Sequence, residues 1–532
     1  MLSALLAPTF LMAQTTPRDT QPRYEANWES LNRYKAPEWY RDAKFGIWAH
    51  WGPQSVPMKG DWYARRMYQE GDPIYSSHLK EFGHPSKHGY VEIIDKWKAE
   101  KWDPDRLMRL YKDAGAKFFV SMGVHHDNFD LWDSSFHRWN AVKHGPHMDV
   151  VGAWQKAAKK QGLKFGVSEH LGASFTWWRD SKLADKAGPL RGVPYDGNDP
   201  NFQDLYHPPT EAGDDEWYSN NPLWHSEWYL RINDLVSKYH PDLLYSDGAV
   251  PFGPYGLQVV ANLYNQNPEA VYLAKHLETS AYVEDRERGS AKDIVPNPWQ
   301  VDTSIGDWFY NKDWTYRKAD WVLKTLVDIC SKNGTLLLNI VQRPDGSLDK
   351  EVEVLLQDLT AWMRSNGESI FETRPWITYG EGPTRVMGGS FREDFPFTAK
   401  DVRYVTKGKH TLYATFLGPV HDQDITLACL NKRSNGTAAI KSVELLETKT
   451  KLKFEQNEAG LTLHVPDNKS YFVTVLKITC TDVADFDTPI FVEPPQKIYQ
   501  FAGGSISLEP EDARLSGSLS FEEREGQKNL AY

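Results

Sequence analysis

The sequence predicts an α/β fold, a (β/α)8-like barrel followed by an antiparallel β-sandwich, and three observations carry that expectation. From about residue 40 to 365, short β-rich runs alternate with longer segments of helical period, the pattern of a parallel sheet with crossover helices. Glycines stand where the helical segments stop. After Pro375 helical periods vanish, and short strands separated by turn residues take over. The alternating region is about 330 residues long, which suits a barrel with insertions better than a small doubly wound sheet.

The strand candidates of the first region are Phe45 to Ala49, Lys117 to Met122, Lys164 to Ser168, Asp242 to Ser246, Val271 to Ala274 and Thr335 to Ile340. They fall two short of a closed eight-stranded barrel. Helices are predicted over Asp105 to Ala114, Trp154 to Gln161, Arg317 to Lys332 and Asp349 to Asn366. Gly115, Gly162, Gly334 and Gly367 then lie in or next to the position that favours left-handed backbone. In the second region the strands are Thr411 to Leu417, Ile425 to Leu430, Lys441 to Leu446, Leu461 to Val465 and Tyr471 to Leu476. The expected division is a signal peptide and tail over 1–20, the barrel over 21–374 and the sandwich over 375–480. The remaining segment, 481–532, carries Pro494-Pro495 and the charged run Glu522 to Glu525, and reads as a linker and the start of a further domain.

Composition narrows the function. With 40% hydrophobic and 25% charged residues, the 532-residue chain has a real core, so general disorder is excluded. A net charge of −11 without a basic run argues against a sequence-independent nucleic-acid binder. The apolar stretch Leu2 to Ala13 is too short to span a bilayer but suits a secretory h-region, so an exported, periplasmic or secreted protein with no membrane span is expected. Cys330, Cys429 and Cys480 are too few and odd in number for a disulfide framework. The 21 Trp, 26 Tyr and 23 Phe supply flat rings that serve cores and also stack on sugars.

In a barrel, chemistry sits at the C-terminal ends of the strands. There the sequence places His50-Trp51-Gly52, His125-His126-Asp127, Glu169-His170, Asp247-Gly248 and Lys275-His276. Asp247 stands out, a carboxylate at the mouth of a buried strand, able to attack an anomeric carbon or hold a metal. Adjacent His125 and His126 on an extended segment would point to opposite sides and so would not share one ion. No His-Glu-x-x-His, paired Cys, Gly-x-Ser-x-Gly, Walker A or dinucleotide motif is present, so no metal or organic cofactor is expected.

Several segments form an ordered series: Phe45 to Gly52 with Asp61-Trp62-Tyr63, Ala116-Lys117-Phe118 through His125-His126-Asp127 to Ser134, and Arg138-Trp139-Asn140 to Gly152. Ser331 to Ile340 with Pro344-Asp345-Gly346, and Asn366-Gly367-Glu368 to Trp376, continue it. Together they resemble glycoside hydrolase family 29, the retaining α-L-fucosidases. The resemblance implies a catalytic barrel with a β-sandwich behind it, acting by double displacement through a covalent glycosyl-enzyme. Asp247 matches the family nucleophile, and His50, Trp62, His125 and His126 would hold the sugar. The acid/base varies in position in this family; Glu284 and Glu287 fall in the right stretch, and Glu287 is favoured. An adjacent Arg286 or Arg288 would lower its pKa, so burial must offset them.

Two departures from the family pattern stand out. Glu169 and His170 occupy a strand end that usually carries tyrosines, and Trp299-Gln300 stands where Trp-Glu is usual. Glu169 and His170 are therefore expected at the sugar subsite with Trp299, and Glu169 is the reserve acid/base. The implied partner is a fucose-containing oligo- or polysaccharide. The alternatives are an L-galactose-containing one, which differs only by a hydroxyl on C6, and a non-catalytic sugar-binding protein on the same scaffold.

Overall fold

The computed structural model describes residues 24–275, 279–432, 438–468 and 471–486, with the backbone of two further strands, Ser520–Arg524 and Gln527–Ala531. The expected signal peptide and the Pro494-Pro495 segment lie outside these residues. Eight parallel strands close a barrel: β1 (Phe45–Ala49), β2 (Phe118–Val124), β3 (Lys164–Glu169), β4 (Leu243–Ser246), β5 (Val271–Ala274), β6 (Val283–Asp285), β7 (Trp299–Ser304) and β8 (Gly334–Asn339). β8 returns to β1, with Ile47 opposite Phe119 on one side and Leu338 on the other. Strands buried on both faces need near-continuous burial, and β1, β2, β4, β5, β7 and β8 are buried at every position.

The six expected strands are all present, within about two residues at each end. β6 and β7 were not anticipated. β6 is only three residues long, and β7 carries Gln300, Asp302 and Ser304 at alternate buried positions, so neither offers an apolar run. The helix Pro104–Asp113 starts where Asp103 accepts from the Arg106 amide and Pro104 fills the first turn. Val150–Gln161 begins earlier than its apolar period suggests because Asp149 caps it, accepting from the Gly152 amide, and Gly162 ends it with φ +72°. One expected glycine cap is corrected: Gly367 stays right-handed at φ −58°, whereas Gly334 opens β8 next to Asn333, which takes the left-handed turn (φ 72°).

Beyond the barrel come β9 (Arg374–Glu381), β10 (Val402–Lys407), β11 (Thr411–Phe416), β12 (Gln423–Leu427), β13 (Ile440–Leu445), β14 (Thr450–Leu452), β15 (Phe454–Asn457), β16 (Gly460–Val465) and β17 (Thr474–Cys480). They form a six-stranded antiparallel sheet in the order β14-β13-β17-β11-β10-β9 and a three-stranded one, β12-β16-β15. Alternation along β11 decides which side each residue serves: Leu412 and Ala414 fill the sandwich core, whereas Tyr413 joins the barrel core. An ion trio crosses this contact, with Asp328 of the helix Ala319–Ser331 bonded to Lys332 Nζ at 2.8 Å and to Arg403 Nε of β10 at 2.6 Å. Ten tryptophans, Trp48, Trp51 and Trp97 among them, are less than 2% exposed, so the aromatic content serves the core first. The three cysteines are buried and free, and no helix among the described residues is long and apolar enough to cross a membrane.

Candidate active site

At the C-terminal mouth of the barrel lies a cavity of about 280 Å³, lined among others by His50, Trp62, His125, His126, His170, Asp247, Lys275 and Glu287. Asp247 follows β4, its amide donating to the Glu169 carbonyl at 3.0 Å. Gly248 follows at φ +105°, and a Cβ there would meet the Tyr218 hydroxyl at 2.4 Å. That hydroxyl donates to the Asp247 carbonyl at 3.1 Å, so only glycine allows this brace.

The Asp247 carboxylate is held from three directions. Lys275 Nζ donates to Oδ1 at 2.5 Å, His170 Nδ1 lies 3.2 Å from Oδ2, and His126 Nε2 lies 3.4 Å from Oδ2. Burial raises its pKa, but the ammonium and imidazoles beside it outweigh burial and hold the carboxyl well below its ordinary range. Lys275 also donates to Glu287 Oε2 at 2.6 Å. The two carboxylate oxygens it bridges are therefore at most 5.1 Å apart, the sum of the two distances. Glu287 is raised above its ordinary value, by burial first, with Asp302 and Asp247 adding and Lys275 opposing. Neither neighbouring arginine faces it: Arg286 pairs with Glu284 at 2.9 Å, and Arg288 with Glu393 at 3.1 Å while covering the Trp308 ring.

Asp285 and Asp302 are buried close to the Asp247–Glu287 pair. Burial raises both, with the Asp302 charge adding for Asp285 and the Asp247 charge adding for Asp302, and Lys275 lowers both. Tyr245 donates to Asp302 at 3.2 Å, and Gln300 to Asp285 at 2.9 Å.

The double histidine behaves differently from a strand pair. The register of β2 slips at a bulge between Met122 and Val124, and the chain then leaves the strand in a turn. Both rings thereby converge, with centroids 4.5 Å apart, which corrects the expectation of opposite sides. His125, His126 and His170 each bring a ligand-capable atom within 4.8 Å of the others, as do His50, Asp61 and His125, so either trio could hold a metal ion. The hydrogen-bond network assigns the His125 tautomer. Gln54 Nε2 donates to His125 Nδ1 at 2.8 Å, which leaves His125 Nε2–H as a donor toward the cavity, and His126 faces an acceptor from each ring nitrogen, the His170 carbonyl 2.6 Å from Nδ1 and Asp247 Oδ2 3.4 Å from Nε2. Both ring nitrogens of His50, His170 Nε2 and Asp61 Oδ1 are buried without a protein partner. Buried polar atoms of this kind are what a polyhydroxylated ligand satisfies.

Three expected site residues lie elsewhere, for one geometric reason. Side chains alternate along a strand, and Ser168, which accepts from Trp48 at 3.1 Å, points inward where Glu169 points out. Glu169 Oε2 instead accepts from the Leu171 amide at 2.9 Å and from Trp228 at 3.2 Å. Glu284 pairs outside the cavity with Arg286, whose guanidinium covers the Trp299 ring at 4.9 Å, and Trp299 donates to the Lys332 carbonyl. None of the three lines the cavity. Asp61, Trp217, Asp302, Trp308, Ser390 and Phe391 do, and none had been singled out as a site residue. Asp61 stands beside Trp62 in the first motif, but Trp217 and Phe391 lie on loops with no periodicity to mark them.

Eight parallel strands with a buried pair of carboxylates and unsatisfied imidazoles at their C-terminal mouth define a glycoside hydrolase. Comparison with known proteins agrees. A family model described as "Alpha-L-fucosidase" matches residues 11–368, and one described as "Alpha-L-fucosidase C-terminal domain" matches residues 396–479. The chain belongs to the α-L-fucosidase family. It is 28% identical to tissue alpha-L-fucosidase of Mus musculus over 74% of this chain and 81% of that protein. Against the Homo sapiens protein the figures are 27%, 87% and 92%. A crystal structure of Thermotoga maritima alpha-fucosidase in complex with fucose superposes with a TM-score of 0.68 at 28% identity, covering 86% of this chain and all of that one.

Proposed function

We propose that the protein is an exo-acting, retaining α-L-fucosidase that removes terminal α-L-fucosyl residues from glycans. The observation that carries this reading is the Lys275 bridge, which limits the two carboxylate oxygens to 5.1 Å. Retaining glycosidases hold their carboxyl groups about 5 to 5.5 Å apart, whereas inverting ones leave about 6.5 to 9.5 Å for a water molecule. Asp247, held anionic, attacks C1 as the glycosidic bond breaks, and Glu287 gives its proton to the departing oxygen. In the second half Glu287 takes a proton from water, whose oxygen attacks C1 and releases Asp247. His50, His125, His126, Asp61 and Trp62 would hold the hydroxyls and ring, and a cavity at the barrel mouth suits a terminal sugar.

Paired aryl α-L-fucoside and α-L-galactoside substrates test this reading. Faster fucoside cleavage with α-L-fucose as the first-formed anomer supports it. A preference for the galactoside moves the substrate to the C6-hydroxylated sugar, and binding without turnover supports the non-catalytic alternative. The apolar segment Leu2 to Ala13 supports export of the chain. N-terminal sequencing of the mature protein tests that, and a retained Leu2 would count against it.

Lys275 also predicts a pH effect. Its charge lowers both carboxyl groups, so Lys275→Met raises both pKa values. The kcat/KM profile falls on the acid side as Asp247 takes up a proton and on the basic side as Glu287 loses one. Both limbs should therefore move to higher pH in the variant. Limbs that stay in place would sink the assigned role of Lys275.

A further inference from the structure

The β9–β10 connection of the sandwich domain runs back over the barrel mouth and pairs with the chain that carries Glu287. The Phe391 amide donates to the Glu287 carbonyl at 2.8 Å, the Arg392 amide to the Arg288 carbonyl at 2.8 Å, and Ser290 and Gly389 exchange two bonds of 3.1 Å. Ion pairs fix it further: Glu393 meets Arg288 at 3.1 Å, and Asp394 accepts from Arg317 at 2.8 Å and from Trp321 at 3.1 Å. Within this clamped segment Phe391 is 67% exposed, although it lines the catalytic cavity. Its backbone is left-handed, φ +57°, a conformation that bulky residues rarely take. A phenylalanine held both strained and exposed does nothing for the core, and such strain gathers where a side chain must be aimed.

Chemistry identifies what it is aimed at. The acid that protonates the leaving oxygen stands on the leaving-group side of C1, so a side chain projecting from the segment bonded to Glu287 meets the leaving group and not the fucose. We infer that Phe391, carried by the sandwich domain, forms a leaving-group subsite that stacks on the ring attached to the departing oxygen; this rests on Glu287 being the acid/base of the proposed fucosidase. Sugar rings present an apolar C–H face, which suits an aromatic platform. Trp217, 40% exposed and stacked on Trp62 at 6.0 Å, lines the same cavity.

Two substrates isolate the effect: 4-nitrophenyl α-L-fucoside, whose leaving group is a ring, and α-L-fucosyl fluoride, whose leaving group has none. In Phe391→Ala the ratio of kcat/KM for the first over the second should fall about tenfold, and Phe391→Trp should restore it. Because the ring is exposed, the melting temperature should not drop, which separates a lost subsite from lost folding. A ratio within twofold of the unaltered enzyme, or an equal loss on both substrates, overturns the subsite. Failure of the unaltered enzyme to hydrolyse either substrate would instead overturn the fucosidase reading itself.

Discussion

Asp247→Gly should lose about 10⁴-fold in kcat/KM on an aryl α-L-fucoside, because the covalent route closes when its nucleophile is removed. The folded barrel should survive, since the site is at its mouth and the core strands are untouched. Azide gives the diagnostic product. With Asp247 gone, azide enters from the face the carboxylate vacated, so the variant should convert an activated α-L-fucoside to the β-configured fucosyl azide. Glu287→Gly leaves the nucleophile in place; the fucosyl-enzyme forms from substrates with good leaving groups, and azide then attacks it to give the α-configured product. NMR of the two azides assigns the roles independently of rate. The α-azide from Asp247→Gly would falsify the assignment of Asp247 as nucleophile.

The second large effect is on stability. Asp328 is hydrogen-bonded to two buried cations, Lys332 and Arg403, at the contact between barrel and sandwich. Asp328→Ala leaves both cations buried without their hydrogen-bonded anion, at a cost of about 3 to 5 kcal/mol. Replacing all three with apolar residues of similar volume removes charges together and should cost far less. Denaturant unfolding of the two variants provides the comparison. Equal stabilities would mean that the trio carries no coupled electrostatic load.

Six barrel strands were legible because burial on both faces demands the short apolar runs that pattern reading detects. β7 was not, because its interior positions carry the polar groups of the site floor, Gln300 and Asp302. The same features that hid that strand are thus part of the chemistry. Among candidate residues, His50, Trp62, His125, His126, His170, Asp247 and Glu287 all reach one cavity. Glu169, Glu284 and Trp299 do not, and the error is one of parity: a residue named at a strand end faces inward or outward according to a register that sequence alone leaves open. Lys275 was visible as a residue at the end of β5, but its position between two carboxylates depends on strands that are distant in the chain. Phe391 had no local signal at all, since its place is set by pairing across two domains.

That pairing bears on how such a protein can be re-engineered. The barrel supplies most of the cavity wall, whereas the strand connection that clamps the Glu287 segment belongs to the C-terminal domain. The two halves are therefore not interchangeable modules. If Phe391 forms the leaving-group subsite, a chimaera that keeps this barrel but takes its sandwich from a relative would change the acceptor preference, and a barrel expressed alone would lack the part of the cavity wall that Ser390 and Phe391 supply. Laboratory evolution toward new linkages or toward transfer onto new acceptors has its shortest path through residues 387–394, outside the barrel altogether.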